Sequence, residues 1–347
     1  MLEAHLSELQ IRSVFRTLSP PSQLLDLASN DYLGLSNSSR IRQQLLHALE
    51  SGVALSSTGS RLLAGNTHQH EQVESFLQTL FKVESALIFS SGFLANMGVM
   101  TAFESDQSEY FSDELNHASL IDGMRLARGK RSVFRHNDLN HLETLLCSSV
   151  APIKVIVSES VFSMDGDLAP LSGLCELAER HSAYLVIDEA HSTGVFGRRG
   201  LGCMDDLEHK PEVLSTRKFR DLLVNRARSF IFSTALSPLS VLHIEYALRE
   251  IVALPGLGAR LLQTAQALRS GLPAALGQSQ IVPLVVGSNE QAVHLADQLR
   301  HRGFEVRAIR YPTVKKGSER LRLTLKSFHS DEIYQKLREA VREVWPK

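Results

Sequence analysis

The sequence predicts an α/β protein: a mostly parallel sheet covered on both faces by helices, followed by a small α+β domain. Three observations carry this. Short apolar runs alternate with stretches of helical spacing through the first two thirds of the chain. IKVIV (153–157) and YLVI (184–187) are nearly continuous apolar runs, as strands buried on both faces require. From Ser237 onward the texture changes to long helical patterns with few strands. The 347 residues suit about two domains.

Taken in order, the strand candidates are LLDLAS (24–29), SALIFSS (85–91), EYFSD (109–113), IKVIVSE (153–159), AYLVIDE (183–189) and SFIFST (229–234). Helical spacing fills 39–51, 69–82, 93–103, 116–128, 138–147 and 171–181. A helical region over 237–276 breaks at Pro255-Gly256 and Gly258. Strand IVPLVV (281–286), helix 289–301, strands FEVRAI (304–309) and RLRLTL (320–325), and helix 331–344 complete the chain. The expected division is a large domain over 1–236, with an N-terminal arm over about 1–25, and a bridging helix plus small domain over 237–347.

Composition removes several function classes. Hydrophobic residues at 43% and charged residues at 22% exclude a largely disordered chain. Lys+Arg at 37 against Asp+Glu at 38 leaves no positive excess for nucleic acid. Cys147, Cys175 and Cys203 form no CxxC pair, which suits a reducing, cytoplasmic setting. MLEAHLSELQIRSVFRTL lacks the basic flank and apolar run of a signal peptide. The apolar stretch 235–262 carries Glu245, Arg249, Glu250 and Arg260, so no membrane span is expected.

Ligands of open α/β sheets bind beyond the carboxyl ends of the strands. After SALIF, Ser-Ser-Gly92-Phe93 opens a helix whose free N–H groups suit a phosphate. A turn with an N-cap is the plain alternative. After EYFSD, His117 stands at a helix start, as a capping histidine or as a ring face for a flat ligand. After IKVIVSE, Ser163 precedes the turn Asp165-Gly166-Asp167, which lacks the ligand pattern of a calcium loop. After AYLVI, Asp188 ends an apolar run and His191 follows it. A metal pair lacks a third ligand there, and no GxSxG marks a hydrolase, so no metal site is expected. Together these features converge on pyridoxal 5'-phosphate (PLP). Its phosphate suits the helix start, and its pyridine nitrogen needs an anion such as Asp188 to stay protonated.

ASNDYLGLS (28–36), TGSRLLAGNTHQHEQVE (58–74), SSGFLANMGV (90–99), ELNHASLIDG (114–123), SVFSMDGDLAPL (160–171), DEAHSTGVFGRRGLG (188–202), ARSFIFSTALSP (227–238) and RLRLTL resemble the α-oxoamine synthase family of PLP enzymes. The resemblance implies the aspartate aminotransferase-like architecture, fold type I, and a homodimer. HNDLNHLE (136–143) and HSTG (191–194) lie nearest the branch that condenses L-alanine with a pimeloyl thioester, on CoA or a carrier protein, for biotin synthesis. A glycine C-acetyltransferase-like enzyme and a non-catalytic homologue are the alternatives. By motif, the resemblance assigns Gly92 and Phe93 to the phosphate and His117 to stacking on the ring. Ser163 and His191 contact cofactor oxygens, and Asp188 pairs with the pyridine nitrogen. His117, Asp188 and His191 thereby form the catalytic set. Asn30 and Arg322 bind the substrate carboxylate, a task that suits a guanidinium, and Thr313 lies near the acyl substrate.

One segment departs from the family. The Schiff-base lysine belongs in a T-F-x-K-(A/G)-x-G run after the strand that follows the Asp–His strand. Here the chain passes from KPEV (210–213) to RDLLVNRARSF (220–230), with neither the lysine run nor the returning strand between. Two central strands and about fifteen residues are therefore expected to be missing. Lys210 precedes proline in an acidic stretch, and Lys218 stands beside Arg217, so neither matches the family lysine.

Overall fold

A computed structural model describes residues 2–11, 15, 18, 23–207 and 216–346. Its strands, in chain order, are β1 (Leu25–Asp26), β2 (Ser108–Asp113), β3 (Lys130–Phe134), β4 (Ile153–Glu159), β5 (Tyr184–Asp188), β6 (Ile281–Val285), β7 (Phe304–Glu305), β8 (Arg307–Ile309) and β9 (Arg320–Thr324). Two compact units form. The larger gathers Leu35–Phe162 and Ala169–Gly256; the smaller gathers Met1–Gly34, Ser163–Leu168 and Leu257–Lys347.

In the larger unit four parallel strands run in the order β3-β2-β4-β5. Successive strand residues point to opposite faces, and the sequence supplies apolar groups for both. Tyr110, Val155 and Val157 enter one core with Met100, Leu120 and Met124 from helices Gly92–Ala102 and Ala118–Leu126. Phe111 and Ile156 enter the other, with Leu142, Leu146 and Leu174 from helices Leu139–Ser148 and Leu171–Arg180. Tyr110 and Phe111 are both fully buried. Truncating either aromatic to alanine costs about 3–5 kcal/mol.

Side-chain caps start two of these helices, Gly92–Ala102 and Leu139–Ser148, at the carboxyl side of the sheet. Ser91 Oγ accepts from Leu94 N at 3.2 Å and Asp138 Oδ1 from His141 N at 2.9 Å. Each predicted helix between 39 and 181 forms within about two residues of its expected bounds. The region 237–276 forms two helices, Pro238–Ala253 and Leu257–Arg269, divided at Pro255-Gly256.

The strand predictions need correction at the sheet's margin. SALIFSS (85–91) joins no strand. Side chains take its backbone groups instead: Ile88 N donates to Glu74 Oε1 at 3.0 Å, and Arg220 Nε donates to Ala86 O at 3.3 Å. SFIFST (229–234) contributes to a short helix, Arg228–Ile231. A strand needs a hydrogen-bonded neighbour, and among the described residues the sheet stops at β5. The expectation that YLVI is buried on both sides fails for the same reason. Val186, Ile187 and Asp188 are only half-buried, whereas Val155–Glu159 of β4 is buried throughout. LLDLAS shrinks to β1, which pairs with β7 within the smaller unit. Sequence patterning missed β3, an edge strand with exposed Lys130 and Arg131.

The smaller unit holds the antiparallel sheet β6-β9-β8, the pair β1-β7 and helices Leu257–Arg269, Asn289–His301 and Asp331–Val344. Leu321, Leu323 and Leu325 are fully or almost fully buried. The intervening Arg320, Arg322, Thr324 and Lys326 share the other face of the strand and its extension. Among the described residues no helix is long and apolar enough to cross a membrane.

Candidate active site

The larger unit brings Gly92, Phe93, His117, Asp188 and His191 to the carboxyl side of its parallel strands. Asp188 is the last residue of β5. Its Oδ2 accepts from Asn96 Nδ2 at 2.7 Å and its Oδ1 from Ala190 N at 2.8 Å. Asn96 Nδ2 also donates to Ser119 Oγ at 2.9 Å. That leaves the Ser119 hydroxyl proton for His117 Nδ1, 2.7 Å away. His117 Nδ1 further accepts Ser119 N–H at 3.2 Å, so the neutral imidazole carries its proton on Nε2. The backbone N–H of His117 donates to Glu159 Oε1 at 2.6 Å, fixing this helix start to the end of β4. A hydrogen-bonded row Asp188–Asn96–Ser119–His117 results. Asn96 and Ser119 were not singled out from sequence; their signal was the spacing Gly92-x-x-x-Asn96 and His117-x-Ser119.

His191 lies half-buried in the turn after β5. Its neighbour Ser192 is fully buried, and Ser160 Oγ donates to Ser192 Oγ at 3.0 Å. Burial and Glu189 push the Cys203 thiol up to about 12, so it supplies no thiolate nucleophile at neutral pH.

This geometry fits PLP on three counts. The first-turn N–H groups at Gly92 and Phe93 have no acceptor within their helix, and a Cβ built on Gly92 meets no atom within 4 Å. A phosphate there faces open space and the positive end of a helix dipole. The His117 ring is exposed, which leaves a face for stacking. Asp188 Oδ1 and Oδ2 each receive one protein donor and retain a lone pair for a protonated ring nitrogen.

The covalent anchor does not appear among the described residues of this unit. Lys130 and Lys154 stand at the amino ends of β3 and β4. Lys218 lines a cavity of about 840 Å³ together with Ile153 and Tyr184, the amino-terminal residues of β4 and β5. Asp188 lies at the other end of β5, about 13 Å along the strand from Tyr184. Lys82 caps helix His68–Phe81. Lys210 falls outside the described residues.

The smaller unit brings Asn30, Ser163 and Arg322 together. Arg322 is 7% exposed. Its Nε donates to Ser163 O at 2.6 Å, and its two terminal nitrogens donate to Asn30 Oδ1 at 3.2 and 3.3 Å. Tyr32 Oη also donates to Asn30 Oδ1 at 3.2 Å, and burial holds the Tyr32 phenol above its ordinary value. These partners of Arg322 are neutral oxygens, and among the described residues no carboxylate pairs with this buried guanidinium. Such a group favours an incoming anion. Ser163 contributes its carbonyl to this cluster. Thr313 lies in an exposed turn after β8, where its N–H donates to Arg310 O at 2.8 Å.

The family pattern described as aminotransferase class I and II matches residues 22–341. The chain is 39% identical to the 8-amino-7-oxononanoate synthase of Lysinibacillus sphaericus over 334 positions, covering 89% of this chain and 86% of the relative. It is 38% identical to the 8-amino-7-oxononanoate synthase of Mycolicibacterium gilvum over 354 positions, covering 96% and 93%. Those shares of 347 residues account for about 309 and 333 aligned positions, leaving about 25 and 21 with no residue of this chain opposite them. A structure described as SPT with PLP superposes at a TM-score of 0.88, with 26% identity and coverage of 99% of this chain and 97% of that one.

Proposed function

The chain belongs to the class I and II aminotransferase family, and from that premise we propose the scaffold of a PLP-dependent 8-amino-7-oxononanoate synthase. The reaction of this scaffold is the decarboxylative condensation of L-alanine with a pimeloyl thioester, and its assembly is a homodimer. The observation that carries the cofactor is the row Asp188–Asn96–Ser119–His117 beside the helix start at Gly92. Relatives named for this synthase at 38–39% identity over most of the chain favour it over glycine C-acetyltransferase.

Bound, PLP supplies an electron sink for the charge left on the amino-acid carbon. The chain's own residues prepare that sink. Asp188 holds a proton on the ring nitrogen, and Asn96 aims the carboxylate by occupying its Oδ2. The N–H groups of Gly92 and Phe93 hold the phosphate. His117 covers the ring face, its plane fixed by Ser119. Arg322 takes the alanine carboxylate through two parallel hydrogen bonds, turning part of its donor set from Asn30 to the substrate.

Among the described residues of the larger unit no lysine stands beside Asp188, so the contacts that carry this reading of PLP are noncovalent ones. The test has two arms. The chain as it stands, with PLP, L-alanine and pimeloyl-CoA, yields no 8-amino-7-oxononanoate by mass spectrometry. A chain receiving the family's T-F-x-K-(A/G)-x-G run with its flanking strands between Leu214 and Ser215 yields it. A folded, PLP-loaded graft that uses glycine and a short acyl thioester instead overturns the choice of synthase.

A further inference from the structure

We infer that Lys326 is a positioning residue for the amino-acid carboxylate subsite: its ammonium fixes the Ser29–Asn30 peptide and, through Asn30, the guanidinium of Arg322. The inference rests on the reading of Arg322 as the carboxylate's partner.

The side chain of Lys326 is fully buried. Its Nζ donates to Ser29 O, to Ser29 Oγ at 3.0 Å and to Thr324 Oγ1 at 3.2 Å. It lies 3.7 Å from Asp26 Oδ2 and 5.8 Å from the centre of the Tyr32 ring. Thr324 Oγ1 donates to the same Ser29 carbonyl at 2.7 Å. Asp26 completes the clamp: Oδ1 accepts Ala28 N and Ser29 N, each at 2.9 Å, and Oδ2 accepts Ser29 Oγ. The next residue is Asn30, whose Oδ1 holds both terminal nitrogens of Arg322. Arg322 and Lys326 stand four residues apart on one face of the β9 line, so the two contacts pin adjacent points of a single turn.

A plain structural lysine is a poor account of this arrangement. Burying an ammonium costs free energy that an apolar side chain of similar length avoids. The groups facing the amine are Asp26 and Asp31, which favour its charge, and Arg322, which opposes it. His329 and Tyr334 also stand close: His329 is held below its ordinary value by burial and by Lys326, and the Tyr334 hydroxyl bonds the Lys326 backbone. Burial outweighs those two carboxylates and brings the amine down to about 8. Raising the pH through 8 therefore removes the ammonium charge and one of the three N–H donors that hold Ser29 and Thr324. Carboxylate affinity then falls while fold stability rises, since an unfolded lysine keeps its proton to about 10.4. A purely structural group moves stability alone.

The experiment uses the full chain loaded with PLP. L-alanine affinity is measured by calorimetry between pH 7 and 9.5 for the wild type, Lys326→Met and Arg322→Lys. The Arg322 Nε–H is followed by ¹⁵N NMR and identified by its loss in Arg322→Lys. We expect Lys326→Met to fold, to weaken alanine about tenfold at pH 7, and to speed exchange of the Arg322 Nε–H. The ratio of wild-type to Lys326→Met affinity should fall toward one as the pH passes 8; alanine's own amine titrates equally in both. Unchanged affinity and exchange in Lys326→Met, with Arg322→Lys impaired, overturn the role of Lys326 alone. Unchanged affinity in Arg322→Lys overturns the carboxylate reading itself. Should Lys326→Met fail to fold, Thr324→Val takes its place, since the Thr324 hydroxyl accepts from Lys326 and shares the Ser29 carbonyl: weaker alanine binding and faster Arg322 Nε–H exchange support the inference, and unchanged values overturn it.

Discussion

Replacing Asp188 by asparagine tests the cofactor site at its most charged point. In the wild type both carboxylate oxygens accept, one from Asn96 Nδ2 at 2.7 Å and one from Ala190 N at 2.8 Å. An amide at 188 has one acceptor and one donor end. Whichever way it turns, its NH2 faces another donor, at a cost of about 1–3 kcal/mol to the unliganded fold. Asp188 is half-buried, which places the cost at the lower end. Turning Asn96 over relieves the clash, but it then draws the Ser119 proton away from His117. The larger effect falls on PLP. A charge-assisted hydrogen bond contributes about 1.5–3 kcal/mol, so PLP affinity should drop roughly 12- to 150-fold. The assay is thermal unfolding with and without PLP at about 100 times the wild-type Kd, where PLP stabilises the wild type by about 2.7 kcal/mol. At the same concentration the stabilisation of Asp188→Asn should fall to about 0.3–1.3 kcal/mol. A mutant stabilised as strongly as the wild type refutes the assignment of Asp188 to the ring nitrogen.

Asn96→Ala removes the donor shared by Asp188 and Ser119; PLP titration should show severalfold weaker binding, and equal affinity would place Asn96 outside the cofactor's support. Between pH 8 and about 10.4 the unfolded chain binds the Lys326 proton that the folded chain has released, so stability rises with pH by up to about 3 kcal/mol. Denaturant midpoints of wild type minus Lys326→Met should show that rise, and a flat difference would remove the buried amine's shift. Cys147 is exposed while Cys175 and Cys203 are held up by burial, so iodoacetamide at pH 8 should label Cys147 first; prior labelling of Cys203 would contradict its packing.

Much of the helix layout was legible because amphipathic spacing and polar caps act locally. Strand pairing was legible where two neighbours exist, as in β2 and β4. It failed for SALIFSS and SFIFST because strand character in the residues cannot supply a missing partner. Glu74 and Arg220, distant in sequence from Ile88 and Ala86, took over those backbone groups. Of the site, His117 and Asp188 were legible from the strands they follow or end, and Gly92 from the small residues that open its helix, although SALIFSS before it forms no strand. Asn96 and Ser119 were not singled out, since their spacing from Gly92 and His117 sets where they lie on the helices but not what they face. Lys326 was hidden differently: the alternation R-L-R-L-T-L-K shows which face it shares, but only the turn over 26–30 shows that the face is closed.

In the proposed site PLP is held without a covalent lysine among the described residues. Borohydride reduction of the PLP-saturated protein, followed by intact mass and peptide mapping, tests it directly. PLP should be bound at one per chain before reduction, with no lysine carrying a phosphopyridoxyl group in stoichiometric yield afterward. A single lysine labelled once per chain, at Lys210, Lys218 or elsewhere, would contradict it.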